Sequence, residues 1–123
     1  MLQKNGQVVY DRNSGLMWQQ SGSSKEMNYG DAKLWVEQLN FAGYSDWRLP
    51  TLEEAMSLVE SKINSDGLYI DSKFDKTQQY IWTSDLVKGK SRVWIIHFLG
   101  GFCESHSYYY YYVRAVRSRQ SSE

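Results

Sequence analysis

The sequence predicts an α+β domain built on an antiparallel sheet. Short strands come first, two amphipathic helices follow, and from residue 80 the pattern returns to strands. The repeated strand–helix alternation of a parallel sheet is missing. A chain of 123 residues has room for one core, so residues 1–123 are expected to form a single domain.

Gln7-Val8-Val9-Tyr10 and Leu16-Met17-Trp18-Gln19 read as strands joined by the turn Asp11-Arg12-Asn13-Ser14-Gly15. The first helix begins after Asn28, a good N-cap, with Asp31 in its first turn. Ala32, Trp35, Val36 and Leu39 then fall on one helical face. The second helix follows Pro50 and opens with a capping box of Thr51 and Glu54. Its buried stripe is expected to be Leu52, Ala55, Met56, Val59 and Ile63, with Asn64-Ser65-Asp66-Gly67 as the stop. Residues 80–83 and 92–98 are rich in β-branched and aromatic side chains and read as strands. Gly100-Gly101 turns the chain, and a last strand is expected over residues 109–116.

Fourteen Lys and Arg balance fourteen Asp and Glu. No net field draws the chain to nucleic acid or an anionic membrane, and neither is expected as a partner. No apolar run has the length of a membrane span. Residues Met1 to Gly6 lack the apolar stretch of a secretory leader, so the chain is expected to be cytoplasmic or a mature or excised domain. A single cysteine, Cys103, cannot form an internal disulfide, and packing must hold the fold. Ten Tyr and five Trp imply an aromatic-heavy core.

Four ordered blocks resemble the Lcl C-terminal domain family, named after a bacterial collagen-like adhesin. They are Asp11-Arg12-Asn13-Ser14-Gly15-Leu16-Met17-Trp18; Leu39 to Thr51, including Asp46-Trp47-Arg48-Leu49-Pro50-Thr51, with Glu53-Glu54; Trp82-Thr83-Ser84; and Tyr112-Val113-Arg114-Ala115-Val116-Arg117. The resemblance implies a C-type-lectin-like fold related to formylglycine-generating enzymes. In such a fold two helices flank a mostly antiparallel sheet, the N- and C-terminal strands pair, and a loop-rich face takes ligand. It also implies a surface or secreted module, and it extends to the variable proteins of diversity-generating retroelements. Two features depart from the wider superfamily. The calcium and sugar motifs of true C-type lectins are missing, and one cysteine cannot supply the pair that the enzymatic relatives use.

Trp18, Trp35, Trp47 and Trp82 are assigned to the core. Asp46 and Arg48 are expected to satisfy buried backbone or to pair with each other, and Arg114, like Arg117, to be anchored on the last strand. His97, Cys103 and His106 match no zinc spacing and offer no fourth ligand. Nucleophilic chemistry at Cys103 would need a positioned base, and His106 is read as lying in a loop.

The tyrosines carry the functional reading. Tyr108 to Tyr112 are consecutive, and alternation along a strand puts Tyr109 and Tyr111 with Val113 and Ala115, and Tyr108 and Tyr110 on the other side. A short chain cannot bury every ring. Exposed tyrosine with serine and histidine is the mixture that antibody paratopes use; an edge strand or a subunit contact is the plainer alternative. Leu99, Phe102, Cys103, Ser105, His106, Ser107 and the tyrosines all belong to the amino acids reached when both adenines of an asparagine codon are randomised. Glu104 does not.

The expected function is therefore a non-enzymatic ligand-binding or display domain. Its contact residues are His97, Leu99, Phe102, Ser105, His106, Ser107, Tyr108, Tyr109, Tyr110 and Tyr111, and its partner is a protein or glycan on another cell or particle. A second reading is an adhesin that takes sulfated glycans through Arg92, Arg114 and Arg117. A third is an enzyme of formylglycine-generating type. No cofactor, catalytic residue or metal is expected, so EDTA should leave the melting temperature unchanged. A lower melting temperature in chelator would overturn that expectation.

Overall fold

Residues 2–88, 92–106 and 109–118 are described in a computed structural model of the chain. In chain order the elements are β1 (Leu2–Asn5), β2 (Val8–Asp11), β3 (Leu16–Gln19), α1 (Tyr29–Glu37), α2 (Leu52–Met56), β4 (Tyr80–Leu86), β5 (Val93–His97), β6 (Phe102–His106) and β7 (Val116–Ser118). The class is α+β, with two helices as expected. The strands form two antiparallel sheets instead of one: β1-β2-β3-β7 and β4-β5-β6. The terminal strands share the first sheet, where β7 lies against β3 with Val116 opposite Trp18.

Local signals place the helices. The Asn28 side chain accepts from the Asp31 amide at 2.8 Å and starts α1. Ala32 and Val36 are buried along it, but Trp35 is only half-buried. In α2 the Thr51 hydroxyl accepts from the Glu54 amide and the Glu54 carboxylate accepts from the Thr51 amide, closing the capping box. This helix stops at Met56, well before Asn64. The Glu60 amide bonds the Tyr69 carbonyl at 2.9 Å and so leaves the helical ladder. Met56 and Ile63 consequently face solvent, and Leu58 enters the core in their place.

The β4-β5-β6 sheet carries a core on each face. Ile81 and Ile96 point into one, with Leu68, Ile70, Phe74 and Phe98; Trp82 and Ile95 point into the other, with Trp47, Val113 and Ala115. Burial on both faces explains the unbroken apolar run Trp94-Ile95-Ile96.

Four strand boundaries differ from the sequence reading, and one is that of β4, which runs on to Leu86 instead of ending at residue 83. β1 was missed because Gln3, Lys4 and Asn5 are polar and exposed at a sheet edge. Residues 102–106 pair along their whole length with β5, so the backbone of His106 is strand and not loop. The last strand begins only at Val116. Before it, the Val113 amide bonds the Ser23 hydroxyl and the Ala115 amide bonds the Gln19 side chain, at 2.9 and 2.8 Å, where a sheet would offer carbonyls.

Trp47 is buried, and its indole donates to the Phe41 carbonyl at 3.0 Å. Trp47→Ala should cost about 3–5 kcal/mol, whereas the half-buried Trp35 should cost under about 2 kcal/mol when changed to Ala. Urea melts of the two variants check the order; equal losses would contradict this packing.

Candidate functional site

The three strands of the second sheet place Tyr80, His97 and Phe102 directly opposite one another, so their side chains share a face. The His97 ring lies 4.3 Å from Tyr80 and 4.6 Å from Phe102, centroid to centroid. Its Nδ1 accepts from the Gly100 amide at 3.0 Å, which leaves Nε2 to carry the hydrogen. Beyond Tyr80 the row continues through Tyr111 at 5.7 Å to Tyr109 at a further 6.1 Å. Phe102, Tyr109 and Tyr110 are 45%, 56% and 61% exposed, and Leu99, in the β5–β6 turn, is exposed as well. Aromatic side chains thus run across the sheet from Phe102 to Tyr109.

Two expected contact residues fall outside this surface. Tyr111 is buried. It exchanges two backbone hydrogen bonds with Met27, and its ring meets Trp82 edge-on at 5.1 Å. Burial, then the negative charge of Glu104, pushes its phenol up to about 12. Ser105 lies opposite Trp94 on β5, one residue out of step with Phe102 and Glu104, so it faces the other side of the sheet. Ser107, Tyr108 and the side chain of His106 lie outside the described residues. Cys103 faces away from His97 for the same reason of parity, since its partner is Ile96. Among the described residues no His, Cys, Asp and Glu side chains group to hold a metal ion.

Asp46, Arg48, Arg114 and Arg117 have partners within the fold. Asp46 and Arg48 do not pair with each other. Asp46 holds Arg117 at 2.6 Å, and Arg48 holds Glu54 through two bonds of 2.7 and 2.8 Å. Arg117 also stacks 3.7 Å over the Tyr44 ring. Arg114 is fully buried and donates to the carbonyls of Ser21 and Asp75, both at 2.9 Å, and to the Gln78 side chain. Burial pulls its guanidinium down to about 9. Arg92 is exposed and donates to the Ser105 carbonyl at 2.6 Å. With Arg114 and Arg117 buried, these three arginines offer no joint surface to a sulfated glycan.

One feature escaped the sequence reading. A groove of about 860 Å³ runs along α1, floored by Val36, Trp47 and Leu49, with Lys33 and Glu37 among its charged walls. Leu34 lines it and is 54% exposed. An apolar residue outside the Ala32–Trp35–Val36–Leu39 stripe was the available signal. Tyr29, which lines the groove, packs its ring 5.3 Å from that of the buried Trp82.

The model of the Lcl C-terminal domain matches residues 7–117, from the start of the β2 hairpin into β7. The chain belongs to the Lcl C-terminal domain family. No curated protein matches it in sequence. In this Lcl C-terminal domain the blocks that carry the resemblance form the frame: Trp18, Trp47, Trp82 and Arg114 are buried, and Asp46 and Arg48 are held in ion pairs.

Those pairs make the frame acid-sensitive. Hydrogen bonds from Arg117 hold Asp46 below its ordinary pKa, and those from Arg48 do the same for Glu54. A carboxyl whose pKa is depressed by folding stabilises the fold above its unfolded value and loses that contribution as pH falls through the folded one. The domain should therefore weaken from about pH 4 downward. An Asp46→Asn, Glu54→Gln double variant should be less stable at neutral pH and show a flatter acid dependence. Urea midpoints at neutral and acid pH test this; parallel curves for the two proteins would refute it.

Proposed function

We propose that this is a non-enzymatic binding domain whose ligand, a protein on another cell or particle, is taken by the aromatic face of the β4-β5-β6 sheet. One observation carries the reading: Phe102, Tyr109 and Tyr110 are exposed beside a row of ring contacts that continues into the core at Tyr111 and Trp82. Exposed aromatic patches are uncommon on monomers, and aromatic anchors dominate the energy of protein interfaces. We read the fold as C-type-lectin-like, on the pairing of the terminal strands and the sequence blocks above. We also read residues 97–111 as the segment that a retroelement would diversify. In favour is the placement of Leu99, Phe102, Tyr109 and Tyr110 at the surface, while Val113 to Arg117 is buried.

Tyr109→Ser and Tyr110→Ser should each change stability by under about 1 kcal/mol. Each should weaken binding to the cognate partner by about 2 kcal/mol or more. Tyr111→Ser should instead destabilise the fold by about 2–4 kcal/mol. Selection of partners from a displayed protein library, followed by affinities and melts of the three variants, tests the reading. Retained affinity in both surface variants would sink it. Sibling genes should vary at adenine-derived codons between residues 97 and 111; even variation along the chain would remove the retroelement part.

A further inference from the structure

His97 stands within the aromatic row, and the backbone decides which of its nitrogens carries the hydrogen. The Gly100 amide donates to Nδ1 at 3.0 Å, so in the neutral ring Nδ1 accepts and Nε2 donates. The β5–β6 turn holds that amide in place, since the Gly101 amide bonds the His97 carbonyl at 2.8 Å. Tyr80 and Phe102 flank the ring at 4.3 and 4.6 Å and limit its rotation. Position and tautomer of the imidazole are therefore fixed before any ligand arrives. Nε2 has no partner among the described residues. The buried polar side-chain atoms without a partner there are Trp18 Nε1 and Arg114 Nη1. Nε2 is not one of them, so its N–H reaches solvent, beside the exposed side chain of Phe102.

A tyrosine hydroxyl turns to donate or accept as its partner requires, whereas Nε2 of this tautomer can only donate. A ligand that covers it with another donor or an apolar group strips water from the N–H and returns nothing. A site built around a hydrogen bond turns that loss into discrimination. Among acceptors, charge separates two kinds. Glu104 lies on the same face of β6 as Phe102, diagonal to His97, and its negative charge is felt as far as the Tyr111 hydroxyl. It repels a carboxylate and leaves an amide carbonyl unaffected. We infer that His97 is a specificity-determining residue of the aromatic face, and that its Nε2–H takes a neutral carbonyl oxygen of the partner, from a main-chain or side-chain amide. The inference rests on the reading of that face as a binding surface.

Nitrogen NMR of the full chain at about pH 8.5 reads the tautomer, and the hydrogen should sit on Nε2. The probes are N,N-dimethylbenzamide, benzoate and toluene, which share a ring and differ in the group attached to it. At the same pH the amide should move the His97 and Phe102 ring signals at lower concentration than benzoate does. His97→Phe keeps a ring in the row but has no donor; it should weaken the amide about tenfold and leave toluene unchanged. His97→Gln restores an N–H of similar reach and should hold the amide within about threefold of wild type. Hydrogen on Nδ1, equal losses of amide and toluene in His97→Phe, no rescue by His97→Gln, or benzoate as tight as the amide would each overturn the inference. Should it fail while Tyr109→Ser and Tyr110→Ser still weaken partner binding, the binding face stands without this donor. If both fail, the functional reading falls as well.

Discussion

Arg114 sits where three separate stretches of chain meet. Its guanidinium reaches carbonyls of Gln20 and Ser21 after β3, and the Asp75 carbonyl and Gln78 side chain ahead of β4. Phe74 lies under it, 4.9 Å from ring centroid to guanidinium carbon. A buried charge is costly unless its hydrogens are taken up, and here most of them are. The converse matters as much: without Arg114 the carbonyls of the half-buried Ser21 and Asp75 would lose this donor, whereas the Gln20 carbonyl would keep the Asp75 amide. The position of residues 111–116 is thereby fixed from its centre, and everything built on that segment inherits the constraint.

What the segment supports is a surface attached through its main chain. The Tyr111 backbone bonds Met27, the Tyr112 amide bonds the Tyr80 carbonyl, and the Trp82 amide bonds the Tyr112 carbonyl. On the far edge, β6 pairs with β5 through its backbone, in register from Phe102 to His106. None of these bonds uses the side chain of Phe102, Tyr109 or Tyr110. Substitution at those positions therefore leaves the pairing intact. The ion pairs Asp46–Arg117 and Arg48–Glu54 lie elsewhere, in the frame.

The legible parts of this chain were the local ones. The Asn28 cap, the Thr51–Glu54 capping box and the β2–β3 hairpin each depend on residues within a few positions, and the sequence places them correctly. Long-range partners were not legible. Asp46 and Arg48 are two apart in sequence and look like a pair, yet Asp46 finds Arg117 71 residues away. The early end of α2 depends on a carbonyl from Tyr69, and the burial of Tyr111 depends on Met27 and Trp82. Parity along β6 could not be set before its partner was known, so Ser105 was grouped with residues of the opposite face. Alternation along the run separates the buried Tyr111 from the exposed Tyr110, but it groups Tyr109 with Tyr111, and Tyr109 is exposed.

That distinction gives the face its mechanical character. Tyr111 is fixed by the core, and Tyr109 rests on it with the ring planes 30° apart. His97 is held by the Gly100 amide and flanked by Tyr80 and Phe102. Rings already held in place lose little freedom when a partner arrives, and immobilising a free side chain costs about 0.5–1.5 kcal/mol. Tyr110 is the most exposed of these rings. The face thus joins a row of packed rings to one exposed ring, Tyr110, that has no ring contact among the described residues.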